Sequence, residues 1–170
     1  MFDKHRWILP LILLSLCSAT LHAQAKLGIY GTIGAEKSGL RNQGWAKAGT
    51  FGLYYGLSNF GPLAVSVDGR ADLSTNLDSG LFGPRVALHG PGIPIKPYVE
   101  FLVGPAFYSS HNNGDKDANA FTYRFVGGID STILPRIDWR VFDFSYGGGI
   151  TQLSNDVHMK TLTTGLVLRF

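Results

Sequence analysis

Cysteine is all but absent: the chain holds one, Cys17, close to its N terminus. A disulfide framework is therefore excluded, and so is a cysteine-built zinc site. Charge of one sign is lacking too. Lys and Arg number 15 against 12 Asp and Glu, and no basic or acidic run occurs. That balance argues against nucleic acid as a partner, which calls for clustered cations. Beyond residue 25 no stretch keeps a helical apolar period for three turns, because Gly or Pro interrupts each candidate. A run of about twenty apolar residues, the length of a membrane-crossing helix, is missing as well.

What is present begins at the N terminus. "MFDKHRW" supplies Lys4 and Arg6, "ILPLILLSL" is a short apolar run, and "CSATLHAQA" places small residues at Ala23 and Ala25. A charged start, a short apolar stretch and an A-x-A site predict a secretory signal over 1–25, cut after Ala25 or after Ala23. Leu16 stands before Cys17, where lipoprotein processing usually wants a small residue. Residues 26–170 are then expected to form one domain. It keeps 13 of the basic and 11 of the acidic side chains and no cysteine.

Within that domain, period-two alternation recurs in eight segments: 26–35, 46–57, 63–73, 80–89, 96–109, 120–131, 138–150 and 160–170. The connections "SNFGP", "GPGIPI" and "TILPRI" are short and rich in Gly or Pro. Between them fall "EKSGLRNQGW", "STNLDS", "SHNNGDKDAN" and "TQLSNDVHM", which are on average longer and more polar. Evenly spaced strands with this asymmetry predict an all-β fold, an eight-stranded antiparallel up-and-down transmembrane β-barrel. Both ends of the domain then lie at the short-turn side, which would be periplasmic.

The two faces of the segments differ sharply. One carries Ile29 and Ile33, Phe51 and Leu53, Val65 and Val67, Val99 and Phe101, Phe121 and Phe125, and finally Leu166, Leu168 and Phe170. The other carries Asp68, Arg70, Asp72, Arg85, Glu100, Arg124, Asp130, Asp143 and Arg169, with Tyr30, Tyr54, Tyr98 and Tyr108 in phase. Arg140 is the exception, since simple alternation sets it beside Phe142, Phe144 and Tyr146. Pro84 and Pro105 fall inside segments, where each removes a ladder donor, and both are expected to mark bulges.

Alternation alone leaves two ways round. A lipocalin-like soluble barrel would turn the apolar face inward around a small apolar ligand; a membrane barrel would turn it to lipid. The in-phase charges favour the second. They are mostly Arg and Asp in near balance, which suits a paired network in a narrow lumen better than a solvated exterior rich in Lys and Glu.

The closing "TGLVLRF", alternating and ending on Phe170, resembles the C-terminal assembly signal of bacterial outer-membrane barrels. "KPYVEFLVGPAFY" and "RIDWRVFDFSYGGG" are similar to strands of the small eight-stranded OmpA/OmpX-type barrel domains, and the resemblance extends over the whole of 26–170. It implies the barrel fold, the bacterial outer membrane as location, and recognition of Leu166, Leu168 and Phe170 by the barrel-assembly machinery.

No convergent chemistry accompanies these strands. His111 and His158 are isolated loop histidines, and "NNGDKDAN" lacks the spacing and terminal Glu of an EF-hand. Ser154, Asp156 and His158 are neighbours in sequence, which does not make a catalytic triad. No catalytic, metal or cofactor-binding residue is assigned, and no enzyme is expected. The expected role is structural or surface-interactive, as a monomer in contact with outer-membrane lipid, with the nine charges plugging the lumen. A small ion-conducting pore and the lipocalin-like barrel are the alternatives. Deletion of Phe170 is expected to lower the amount of assembled protein in the outer-membrane fraction, measured by quantitative blotting; unchanged levels would remove the terminal-signal reading.

Overall fold

The structure, a computed structural model, describes residues 26–39, 44–75, 77–90, 92–108, 118–150 and 158–170. Each alternating segment forms a strand: β1 Leu27–Ser38, β2 Ala46–Phe60, β3 Leu63–Ser74, β4 Leu77–Leu88, β5 Ile95–Tyr108, β6 Ala118–Leu134, β7 Ile137–Gly149 and β8 His158–Arg169. Every strand pairs antiparallel with the next, and β8 returns to β1, so the sheet closes into a barrel. Reciprocal bonds between Leu27 and Phe170 finish the seam, Phe170 N to Leu27 O at 2.8 Å and Leu27 N to Phe170 O at 3.3 Å. Closure leaves no unpaired edge, which a single curled sheet otherwise exposes. The proposed cleavage sites Ala23 and Ala25 lie outside the described residues.

At one end the strands are joined through 61–62, 89–94 and 135–136, with Gly61 and Gly92 in left-handed turn conformations at φ 61° and 76°. A residue with a Cβ is strained there. At the other end β3 and β4 are separated by residues 75 and 76 alone. The expected longer loop "STNLDS" is therefore a tight turn. Ser74 builds it, its Oγ donating to Leu77 O (2.9 Å) and accepting from Leu77 N (3.1 Å).

The apolar face points out and the charged face points in. Ile33, Phe51, Phe82 and Val99 are each more than 60 % exposed, whereas Asp68, Arg70, Glu100 and Arg124 are at most 5 % exposed. This orientation is the reverse of the lipocalin-like alternative, whose apolar face would line the interior. Leu166, Leu168 and Phe170 lie on the outer face as the alternation expects.

Pro84 and Pro105 do not act as expected. Both face outward, Pro84 opposite Val67 and Pro105 opposite Phe121, and the registers run past them without a shift. The missing N–H is absorbed as a gap in the β4–β5 ladder rather than as a bulge. The phase slip occurs elsewhere. On β7 the registers to both neighbours shift around Val141, between Arg140 and Phe142 facing β6 and between Arg140 and Asp143 facing β8. One extra residue there turns Arg140 inward, away from Phe142, where it is fully buried.

An eight-stranded barrel is just wide enough for side chains to fill its interior. Large rings therefore need small residues opposite. The Tyr30 ring lies over Gly52 and the Tyr98 ring over Gly128, so that a methyl group at either glycine would overlap the ring. Gly128→Ala is expected to destabilise the barrel by about 1–3 kcal/mol through overpacking. Urea unfolding in lipid vesicles measures this, with Gly69→Ala as the control, since nothing lies within 4 Å of a Cβ there.

Candidate functional site

Strands β3 to β7 each send charged side chains into the barrel, and six of these residues form a closed circuit. Arg70 pairs with Asp143 at 3.3 Å, and Asp143 with Arg140 at 3.3 Å. Arg140 pairs with Asp130 at 2.9 Å, and Asp130 with Arg85 at 2.8 Å. Arg85 reaches Glu100 at 3.1 Å, and Glu100 returns to Arg70 in a short contact. Sign alternates around this ring, so each guanidinium meets two carboxylates and each carboxylate two guanidinium groups.

Tyrosines enclose the ring. Arg85 lies between Tyr54 and Tyr98, its Cζ 4.1 and 4.3 Å from their ring centroids, and Arg140 between Tyr30 and Tyr98 at 4.0 and 4.7 Å. Cations over aromatic faces gain electrostatically while remaining dry. The phenols also serve as donors, Tyr98 OH to Asp143 at 2.7 Å and Tyr30 OH to Asp68 at 2.8 Å. Asp68 joins the ring's flank through Arg70 Nε at 3.7 Å.

Two smaller clusters lie on either side. Toward the long-connection end, Arg124 bridges Asp72 (2.9 Å) and Glu36 (3.4 Å), and Thr50 donates to Asp72 at 2.7 Å. Between this cluster and the ring, Leu81, Leu102 and Val126 form an apolar cluster with Tyr98 and Ala87. Toward the short-turn end, Asp138 holds two cations, Lys96 at 2.9 Å and Arg169 at 3.0 Å. A vestibule of about 490 Å³ opens there, lined by Arg85, Arg169, Tyr54, Ser66 and His89 among others. Partial desolvation at this rim lowers the His89 pKa below its ordinary value, and the nearby Lys96, Arg85 and Arg169 cations push the same way.

The interior therefore brings together Asp68, Arg70, Arg85, Glu100, Asp130 and Asp143, places Asp72 with Arg124 in a separate cluster, and leaves Arg169 at the rim. Sequence reasoning missed Glu36, Lys96, Asp138 and Arg140. Glu36 stands one residue past segment 26–35 in the inward phase of Tyr30, and Lys96 opens segment 96–109 in the phase of Tyr98 and Glu100. The other two are recoverable only if the Val141 bulge is known. Among the described residues no group of three or more His, Cys, Asp or Glu is placed to hold a metal ion. His111, Ser154 and Asp156 lie outside the described residues.

Neither a family model nor a curated protein matches the sequence. Solved structures match in fold. Neisserial surface protein A shares 14 % identity at a TM-score of 0.57, over 85 % of this chain and 97 % of its own. The outer-membrane enzyme PagL shares 15 % at 0.57, over 84 % and 99 %. The N-terminal β-barrel domain of Pseudomonas aeruginosa OprF shares 13 % at 0.56, over 86 % and 98 %. The fold is that of the small outer-membrane β-barrels.

Burying an ion costs several kcal/mol, and only complete pairing offsets it. Arg140→Met strips Asp130 and Asp143 of a partner each and is expected to cost about 3–5 kcal/mol. Adding Asp130→Asn should recover part of that loss in the same urea titration; a single variant as stable as the parent would show that the ring does not hold the barrel.

Proposed function

We propose that the chain is an exported outer-membrane β-barrel protein whose role is structural or surface-interactive, with a lumen closed by its own charged side chains. The observation that carries this reading is the ring Arg70–Asp143–Arg140–Asp130–Arg85–Glu100, inside a barrel whose exterior is apolar. A soluble protein would pay heavily for both features at once. In lipid they are the low-energy arrangement, because hydrocarbon wants the apolar face and a narrow lumen tolerates ions only as networks.

Several elements support the same reading. The strand ends joined by 61–62, 89–94 and 135–136 suit the periplasmic side, and the longer connections suit the exterior, where a partner would be met. A signal over 1–25 would deliver the chain across the inner membrane, leaving 26–170 as the barrel. Leu166, Leu168 and Phe170 on the outer face of the last strand are placed for reading by assembly machinery while that strand is still unpaired. The same fold carries an enzyme in PagL; here the interior charges pair with one another. The reading is of a monomeric, non-enzymatic barrel.

Two measurements test it. The protein is expected in the outer-membrane fraction, with a gel mobility that changes on boiling; a chain that stays in solution without detergent would overturn the membrane reading. In planar bilayers the folded barrel is expected to show no unitary conductance. Regular steps that change in Arg70→Ala or Arg124→Ala would replace the closed lumen with a small pore.

A further inference from the structure

The outer face of the barrel is not uniformly apolar. At the long-connection end, β1 and β8 set Lys37 directly opposite Lys160. Like charges in that position repel. The β1–β2 register puts Ala35 opposite Lys47, so Lys47 is the diagonal neighbour of Lys37 on the same face. All three lysines are exposed. On the next strand Tyr146 faces Lys160, whose Nζ stands 5.8 Å from the ring centroid. Tyr146 in turn stacks on His158 and shares a 3.1 Å hydrogen bond with its Nδ1.

Nothing described on this face neutralises the cluster. Every described carboxylate on a strand points into the barrel except Asp78, which sits on β4, across the barrel from β8. General snorkelling does not explain the arrangement either. Snorkelling lysines would be spread around the rim, whereas the described outward lysines of the strands are confined to β1, β2 and β8. Three cations crowded on one quadrant near the long-connection ends of β1, β2 and β8, beside aromatic side chains, complement a multivalent anion.

We infer that Lys37, Lys47 and Lys160, with Tyr146 beside them, bind the phosphate of an outer-leaflet lipid headgroup. This rests on the membrane reading above and on the long-connection end facing outward. The lipid's acyl chains would lie along the apolar strips below, past Ile33 and Leu162, both outward and exposed. The headgroup phosphate would remove the Lys37–Lys160 repulsion that the bare barrel carries. Lipid would then be held on one side of the barrel and not the other.

The test uses the full chain assembled in nanodiscs of phosphatidylcholine doped with diphosphorylated lipid A, then released into mild detergent for native mass spectrometry. The parent is expected to retain a lipid A adduct. Lys37→Gln/Lys47→Gln/Lys160→Gln is expected to lose it, with affinity falling about fivefold per lysine removed. Asp78→Asn, on the opposite side, should keep it. Retention by the triple variant, or no adduct on the parent, would overturn the inference. So would displacement of the adduct by inorganic phosphate, which would make free phosphate the ligand. Boiling-dependent gel mobility of each variant shows that it has folded. A folded, membrane-borne parent without adduct defeats this inference alone; a parent absent from the outer-membrane fraction defeats the membrane reading instead.

Discussion

The constraint on which the rest depends is that charges buried inside a narrow barrel cannot be left unpaired. Three arginines and three carboxylates meet it by alternating around a closed ring, in which none has a single partner. A linear chain of ion pairs would leave each terminal charge half-compensated, and burial makes that expensive. The tyrosines complete the solution, since their faces cover the guanidinium groups and their hydroxyls supply the carboxylates with donors. Tyr–Gly packing follows from it in turn. Rings large enough to flank an arginine fit only where the facing strand has no side chain.

The one-residue bulge at Val141 is what makes the ring close. Without it, β7 could present Arg140 or Asp143 to the interior in regular alternation, but not both. With it, two residues three apart bond each other and extend to opposite sides, Arg140 to Asp130 and Asp143 to Arg70. An irregularity in the backbone thus supplies a regularity in the charges.

Much of this was legible in the sequence. Alternation located all eight strands, because a barrel wall has two unlike solvents and each imposes its own residues every second position. The inward phase of Asp68, Arg70, Arg85, Glu100 and Asp130 could be read the same way. Arg140 could not. A bulge is paid for by contacts with neighbouring strands, here the ion pairs themselves, and no local pattern announces it. The prolines misled for the complementary reason. A missing N–H at Pro84 or Pro105 is a local signal, but the β4–β5 pair tolerates a gap in the ladder without shifting register. Glu36 and Lys96 were overlooked because polar residues at strand ends look like the start of a loop.

None of the six ring residues belongs to β1 or β8. The seam between those strands is held by backbone bonds and by peripheral contacts such as that of Glu36 with Thr161. Opening this seam separates no ring pair, but it draws Tyr30 of β1 away from the Arg140 guanidinium that its face covers at 4.0 Å. A sheet of β3 to β7 already carries every charge of the circuit. The first and last strands act as its clasp.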